Sequence, residues 1–174
     1  MTLPKHLGGI SVLTEKVGMF GRDFFSDYDN DFNKRLIFVK MVYLFQSLTG
    51  ISLGYNFVWH INGPYSKTVN GIGYLFKEHE YDYHAEIRSK NIEFADDDIN
   101  KKTEKYSIEI KKFLDKPKVM EIAASLEYIN QENQMTNEAL IKRLIEIKPK
   151  FKNQKISIDK AISMLKQIRN ALQS

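Results

Sequence analysis

Hydrophobic positions recur at a helical period along most of this chain, and the places where the period breaks mark its joints. Ile10, Leu13, Val17 and Phe20 fall three and four apart, which predicts a helix over about residues 10–20 whose end is weakened by Gly18 and Gly21. The stretch FGRDFFSDYDNDFNK then interrupts the pattern with Ser26, Asp27, Asp29, Asn30 and Asp31 and reads as a loop. From about Lys34 to Leu48 apolar residues cover nearly the whole circumference, so this segment is expected to be a central core helix, closed by Gly50.

Leu53 to Ile61 changes to an aromatic and β-branched composition ending in Asn-Gly-Pro, which predicts a short strand and a turn. Alternation puts Tyr55, Phe57, Trp59 and Ile61 on one face, where they are expected to seal the strand onto the core helix, and Asn56, Val58, His60 and Asn62 on the other. Gly63 and Pro64 turn the chain, and the Ser66 hydroxyl is placed to cap a helix running to about His84. Gly71 and Gly73 inside that helix each cost about 1 kcal/mol relative to alanine unless close packing requires them. Ile92 to Ala95 reads as a second short strand.

Beyond residue 100 the pattern is helical throughout. Tyr106, Ile110, Phe113 and Leu114 form one stripe; Val119, Ile122, Ala123, Leu126 and Ile129 form another after Pro117. Thr136 is placed to cap a helix that ends before Pro149, and Ser157 to cap the last one, with Ile158, Ile162, Leu165, Ile168 and Leu172 facing inward. The expectation is one domain over 1–174, mainly α with minor β: a multi-helix fold with a small winged-helix-like strand element.

Composition narrows the classes. The 174 residues are 43% hydrophobic and 12% aromatic, enough for a core, and no apolar run approaches the roughly 18 residues of a membrane span. The first ten residues lack a basic segment followed by an apolar one, so the expectation is a cytoplasmic protein with no membrane contact. The absence of cysteine excludes disulfides, thiol nucleophiles and sulfur-ligated zinc. Charge is unevenly shared: residues 1–100 carry a net −3 and residues 101–174 a net +7. A basic carboxyl-terminal part fits a nucleic-acid or acidic-partner surface, and it fits equally lysines on solvated helix faces.

Several clusters invite chemistry. DYDNDFN places Asp27, Asp29 and Asp31 at the first, third and fifth positions of a calcium loop, but Phe32 stands where the sharp turn needs glycine and Phe38 where a bidentate glutamate belongs. KEHEYDYH gathers His79, Glu80, Asp82 and His84, with the two histidines five apart rather than the four that align metal ligands on a helix. No nucleophile elbow, phosphate loop or dinucleotide fingerprint occurs, so no catalytic or metal-binding residue and no cofactor is assigned. KPKFKNQK sets Lys148, Lys150, Lys152 and Lys155 around Phe151, a pattern that can grip a phosphate backbone and stack on a base, or else a core anchor with a solvated loop.

RLIFVKMVYLFQSLTG (35–50) followed by LGYNFVWHINGPYSKTV (53–69) resembles the YwgA-like proteins of bacteria and archaea, in which a helix with a Lys-x-Val-Tyr-Leu core leads into an aromatic strand ending in Gly-Pro-Tyr-Ser. Residues 124–151 resemble that family's carboxyl-terminal helices more loosely. The motif residues are Lys40, Tyr43, Trp59, Gly63, Pro64 and Ser66. The same helix and turn are similar, more distantly, to the Panacea domain of SocA-like antitoxins and protease adaptors, although Gly-Pro-Tyr replaces its usual Gly-Pro-aliphatic run. The resemblance implies a helical domain without a known cofactor. It also implies an uncharacterised, non-enzymatic interaction or regulatory module, antitoxin-like or associated with mobile elements, that binds a partner protein through helical surfaces.

On this reading a partner or ligand is expected at His60, Asn62, Tyr65 and Lys67. A homodimer is compatible with it. One alternative is a winged-helix DNA-binding regulator using the helix after Ser66 or the basic lysines; another is a metal-dependent hydrolase built from His79, His84 and Asp96 to Asp98.

Overall fold

The computed structural model describes residues 1–174, and its organising element is the helix that the apolar run predicts. This α2 (Phe32–Thr49) follows a first helix, α1 (Gly8–Lys16). Every residue from Leu36 to Phe45 is buried, Lys40 included. Asp31 caps α2 by accepting from the N–H groups of Asn33 and Lys34, and the Gly50 N–H closes it on the Gln46 carbonyl. A hairpin follows, β1 (Val58–His60) paired antiparallel with β2 (Gly63–Tyr65), and then α3 (Lys67–Lys90), α4 (Asp97–Ile110), α5 (Pro117–Glu132), α6 (Asn137–Ile147) and α7 (Lys155–Gln173). The architecture is thus mainly α, with seven helices and a minimal two-stranded sheet.

Helix α2 packs on α5, α5 on α7, and α7 on α4, while α1 lies against α3 and α4. One core runs through all of them, from Leu3 to Ile168. The sequence's acidic and basic portions therefore share a single interior. The predicted caps hold at Ser66, whose Oγ accepts from Val69 N at 3.2 Å, and at Thr136, whose Oγ1 accepts from Ala139 N at 3.3 Å. Ser157 does not cap: α7 begins two residues earlier, at Lys155.

The strands differ from expectation for a local reason. Residues 53–57 run beside α2 without forming a ladder, because the Gln46 side chain takes their backbone bonds: its amide donates to Tyr55 O (2.9 Å) and its carbonyl accepts from Leu53 N (2.8 Å) and Tyr55 N (3.3 Å). Gly63 and Pro64, expected only to turn the chain, belong to β2 instead. Ile92 to Ala95 is not a strand, since Asn100 pairs with both the N–H and the carbonyl of Phe94. The stretch 17–31 is irregular as expected, yet it sends Phe25 and Tyr28 into the core against Phe38 and Phe76. That explains Gly73 in α3, because a Cβ there would lie 2.1 Å from the Tyr28 ring. Gly71 faces open space.

Candidate functional site

The hairpin is held from below by lysines on two different elements. Lys40, from the middle of α2, donates to the Pro64 carbonyl at 2.6 Å. Lys148, at the end of α6, donates to the Ile61 carbonyl at 2.8 Å and to Glu121 Oε1 at 3.0 Å, with its amine 5.2 Å from the centre of the Trp59 ring. Lys150 reaches the same Glu121 oxygen at 2.7 Å and Asn62 Oδ1 at 3.3 Å. Two amines, those of Lys148 and Lys150, thus bridge one buried carboxylate, Glu121 of α5, while Lys40 and Lys148 fasten the hairpin's backbone.

Gly63 is essential to this arrangement. Its φ is 86°, in the region that favours glycine, and a Cβ there would meet Ser125 Oγ at 2.5 Å. Ile61 and Asn62 make the tight connection between the strands, and the left-handed Gly63 completes the reversal.

Between α2 and the hairpin lies a pocket of about 280 Å³. Its walls bring together four residues that the sequence singles out, Lys40, His60, Asn62 and Tyr65, together with Gly63, and add Arg35 and Asn70. Phe32, Leu36 and Val39 supply an apolar side. The His60 ring lies 5.1 Å from that of Tyr65, and the Asn70 side-chain oxygen accepts from Tyr28 OH at 3.1 Å. Burial, reinforced by the charge of Lys148, pulls the Lys40 amine down from its usual 10.5 to about 7. Burial also lowers Lys148, with Glu121 opposing the shift. A second depression of about 390 Å³ shares Phe32 and Leu36 with the first and is bounded by Lys118, Glu121, Lys150 and Phe151.

The remaining sequence candidates disperse. Lys67 is exposed on α3 and does not line the pocket. Of the four lysines around Phe151, only Lys152 and Lys155 are freely exposed; the side chain of Lys148 is 5% exposed, and Lys150 is drawn to Glu121. Phe151 itself is buried, the core anchor that the sequence offered as the other reading. The basic stretch is therefore not one surface, because its first lysine points into the protein to satisfy Glu121 and Ile61.

Trp59 is half-buried and packs on Tyr128 of α5, with ring centres 5.4 Å apart, rather than on α2; Phe57 makes the contact with α2, 5.2 Å from Tyr43. Ile61, expected on the inward face, is 78% exposed because the strand ends at His60 and the turn throws it outward.

The acidic clusters are likewise taken apart by their own partners. Asp27 pairs with Lys34, Asp29 with Lys77 at 2.6 Å, and Asp31 caps α2. Glu80 accepts from Gly21 N at 2.8 Å, Asp82 binds the terminal amine of Met1 at 2.9 Å, and His84 Nδ1 lies 2.6 Å from Glu15, which also holds Arg88. Asp96 caps α4 and Asp97 and Asp98 occupy its first turn. No three of these groups converge on a point that could hold a metal ion. No helix is long and apolar enough to cross a membrane. Comparison of the chain with protein-family models, curated proteins and solved structures returns no match.

Sequence reasoning missed Arg35, Asn70 and Glu121. Glu121 carries a legible signal, a lone acid in the first turns of an otherwise apolar helical stripe, VMEIAASL, but its partners lie 27 and 29 residues away.

Proposed function

We propose that the protein is a non-enzymatic interaction module that docks an acidic segment of a partner protein on the face shared by the hairpin tip, the start of α2 and the 149–151 turn. The observation that supports this reading is the pairing of exposed apolar side chains with a surround of cations, two of which, Lys118 and Arg35, have no carboxylate partner. Phe32 is 52% exposed and shares its two depressions with Arg35, Lys118 and Lys150, and Ile61, 78% exposed, lies between His60 and Asn62 of the first lining, with Lys150 reaching Asn62. The sole carboxylate lining either depression is Glu121, which is buried and already bridged by Lys148 and Lys150. An apolar centre with a one-signed rim selects a partner by shape and by charge together. The likeness of residues 35–50 and 53–69 to the YwgA-like proteins, and more distantly to the Panacea domain, agrees with a binding role.

DNA is a poorer fit to α3, whose Lys77 is paired with Asp29 and whose Arg88 is paired with Glu15. The test is site-specific photo-crosslinking in the native cell from position 61 and, as a control on the far part of α3, from position 81. A discrete adduct with an acidic protein is expected from position 61 alone, weakened by Lys118→Glu. Equal adducts from both positions, none from position 61, or an adduct indifferent to Lys118→Glu would overturn the proposal.

A further inference from the structure

We infer that the pocket between α2 and the hairpin is a binding site for a carboxylate with an apolar body, its charged end seated against Lys40 and its body along Phe32, Leu36 and Val39. The site goes beyond the docking face and stands whether or not a protein docks there. The lining holds Lys40, Arg35, His60, Asn62, Tyr65 and Asn70 on its polar side and contains no aspartate or glutamate.

Lys40 is 2% exposed, and its amine has one acceptor, the Pro64 carbonyl, for three donors. Buried donors without acceptors are costly, and Glu121, whose charge only partly offsets the burial of Lys40, is already bridged by Lys148 and Lys150. The pocket therefore lacks a negative charge at its floor, and a carboxylate supplies both the charge and the missing acceptors. Lys148, Lys150 and Glu121 face Lys40 from the α5 side, His60 and Tyr65 from the hairpin, and Arg35 from one turn earlier on α2. Within that set, an arriving anion restores the proton that burial disfavours on Lys40.

The wall opposite is apolar, so a bare anion leaves it unused, and the volume of about 280 Å³ suits a small occupant or the end of a chain. Arg35 Nη1 is committed to the carbonyls of Tyr28 and Asp29 at 2.8 Å, which fixes the guanidinium at the rim.

Calorimetric titration and thermal shift on the full chain test the site with benzoate and hexanoate against benzamide, hexanamide and inorganic phosphate. Both acids are expected to bind saturably and raise the melting temperature, with the amides and phosphate weaker by about tenfold or more. The variant Asn70→Asp retains an acceptor for Tyr28 OH while placing a negative charge in the lining, so it should fold normally and lose about tenfold in affinity for the acids. A leucine-ended peptide with a free carboxylate, compared with its amide, separates the two sources of the ligand: tighter binding than hexanoate assigns the site to a chain terminus, weaker binding to a free small molecule. Amides binding as well as acids, phosphate binding as well as benzoate, no saturable binding of either acid, or an unchanged affinity in Asn70→Asp would overturn the assignment.

Discussion

Replacing Lys40 with methionine keeps the length of the side chain, removes its amine, and should make the stability difference between the two proteins depend on pH. In the folded protein the Lys40 amine is held at about 7 by burial and by Lys148, against 10.5 ordinarily. Because the folded value is the lower one, the unfolded chain binds the extra proton between those limits, and wild-type stability gains from Lys40 as pH rises through that window. Below about pH 7 the penalty is fully present. At about 1.4 kcal/mol per pH unit, the penalty is at most about 5 kcal/mol near pH 6 and about 2 kcal/mol near pH 9. The gap between wild type and Lys40→Met should therefore move by about 2–3 kcal/mol in favour of the wild type over that range. Methionine also strands the Pro64 carbonyl, at about 1–3 kcal/mol, but that cost is independent of pH and cancels from the trend. Urea denaturation at pH 6, 7, 8 and 9, followed by fluorescence of the single Trp59, measures both curves. Parallel curves, with the gap changing by less than about 0.5 kcal/mol, would show that Lys40 stays charged in the fold and would refute the electrostatic reasoning.

Four further substitutions check the packing. Gly73→Ala drives a Cβ into the Tyr28 ring and should cost about 1–3 kcal/mol, whereas Gly71→Ala, in open space on the same helix, should stabilise by up to about 1 kcal/mol; thermal melts with the same sign for both would contradict the close-approach argument. Glu121→Gln leaves Lys148 and Lys150 without their counter-charge beneath the hairpin and should cost about 3 kcal/mol or more in urea titrations, a loss below about 1 kcal/mol counting against a structural ion cluster. Trp59→Ala removes a half-buried ring packed at a tilt against Tyr128, for which about 1–2 kcal/mol is expected by chemical denaturation, rather than the roughly 3–5 kcal/mol of a full core truncation.

What could be read from the chain alone was whatever depends on neighbours a few positions apart. Helix α2 was legible because an apolar circumference has only one place to go, the middle of the fold, α5 and α6 because their stripes start at Pro117 and Thr136 and the second stops before Pro149, and α7 from its stripe alone. Ser66 could be assigned from its position before a helix because a cap is a contact over three residues. The strand boundaries could not be read in this way. Whether residues 53–57 join a ladder depends on Gln46, a residue of another element, which satisfies their backbone first. Ile92 to Ala95 depends likewise on Asn100.

The site divides along the same line. His60, Asn62 and Tyr65 stand out because they flank a glycine-proline turn, and Lys40 because it is the lone charge in the apolar run from Leu36 to Phe45. That they share one pocket with Arg35 and Asn70 follows from how α2, the hairpin and α3 are stacked, and no period or spacing encodes it. The lysines after α6 show the reverse case: as a string they are a basic patch, but Lys148 turns inward because Glu121 of α5 and the Ile61 carbonyl both lie within reach. The sequence by itself determined the helices, the caps at Ser66 and Thr136 and which helix faces are apolar, since those rest on local periodicity and short-range hydrogen bonds. Only the tertiary structure decided which charges are neutralised, which remain without a partner and which pocket they line, since electrostatic pairing acts between residues brought together from distant parts of the chain.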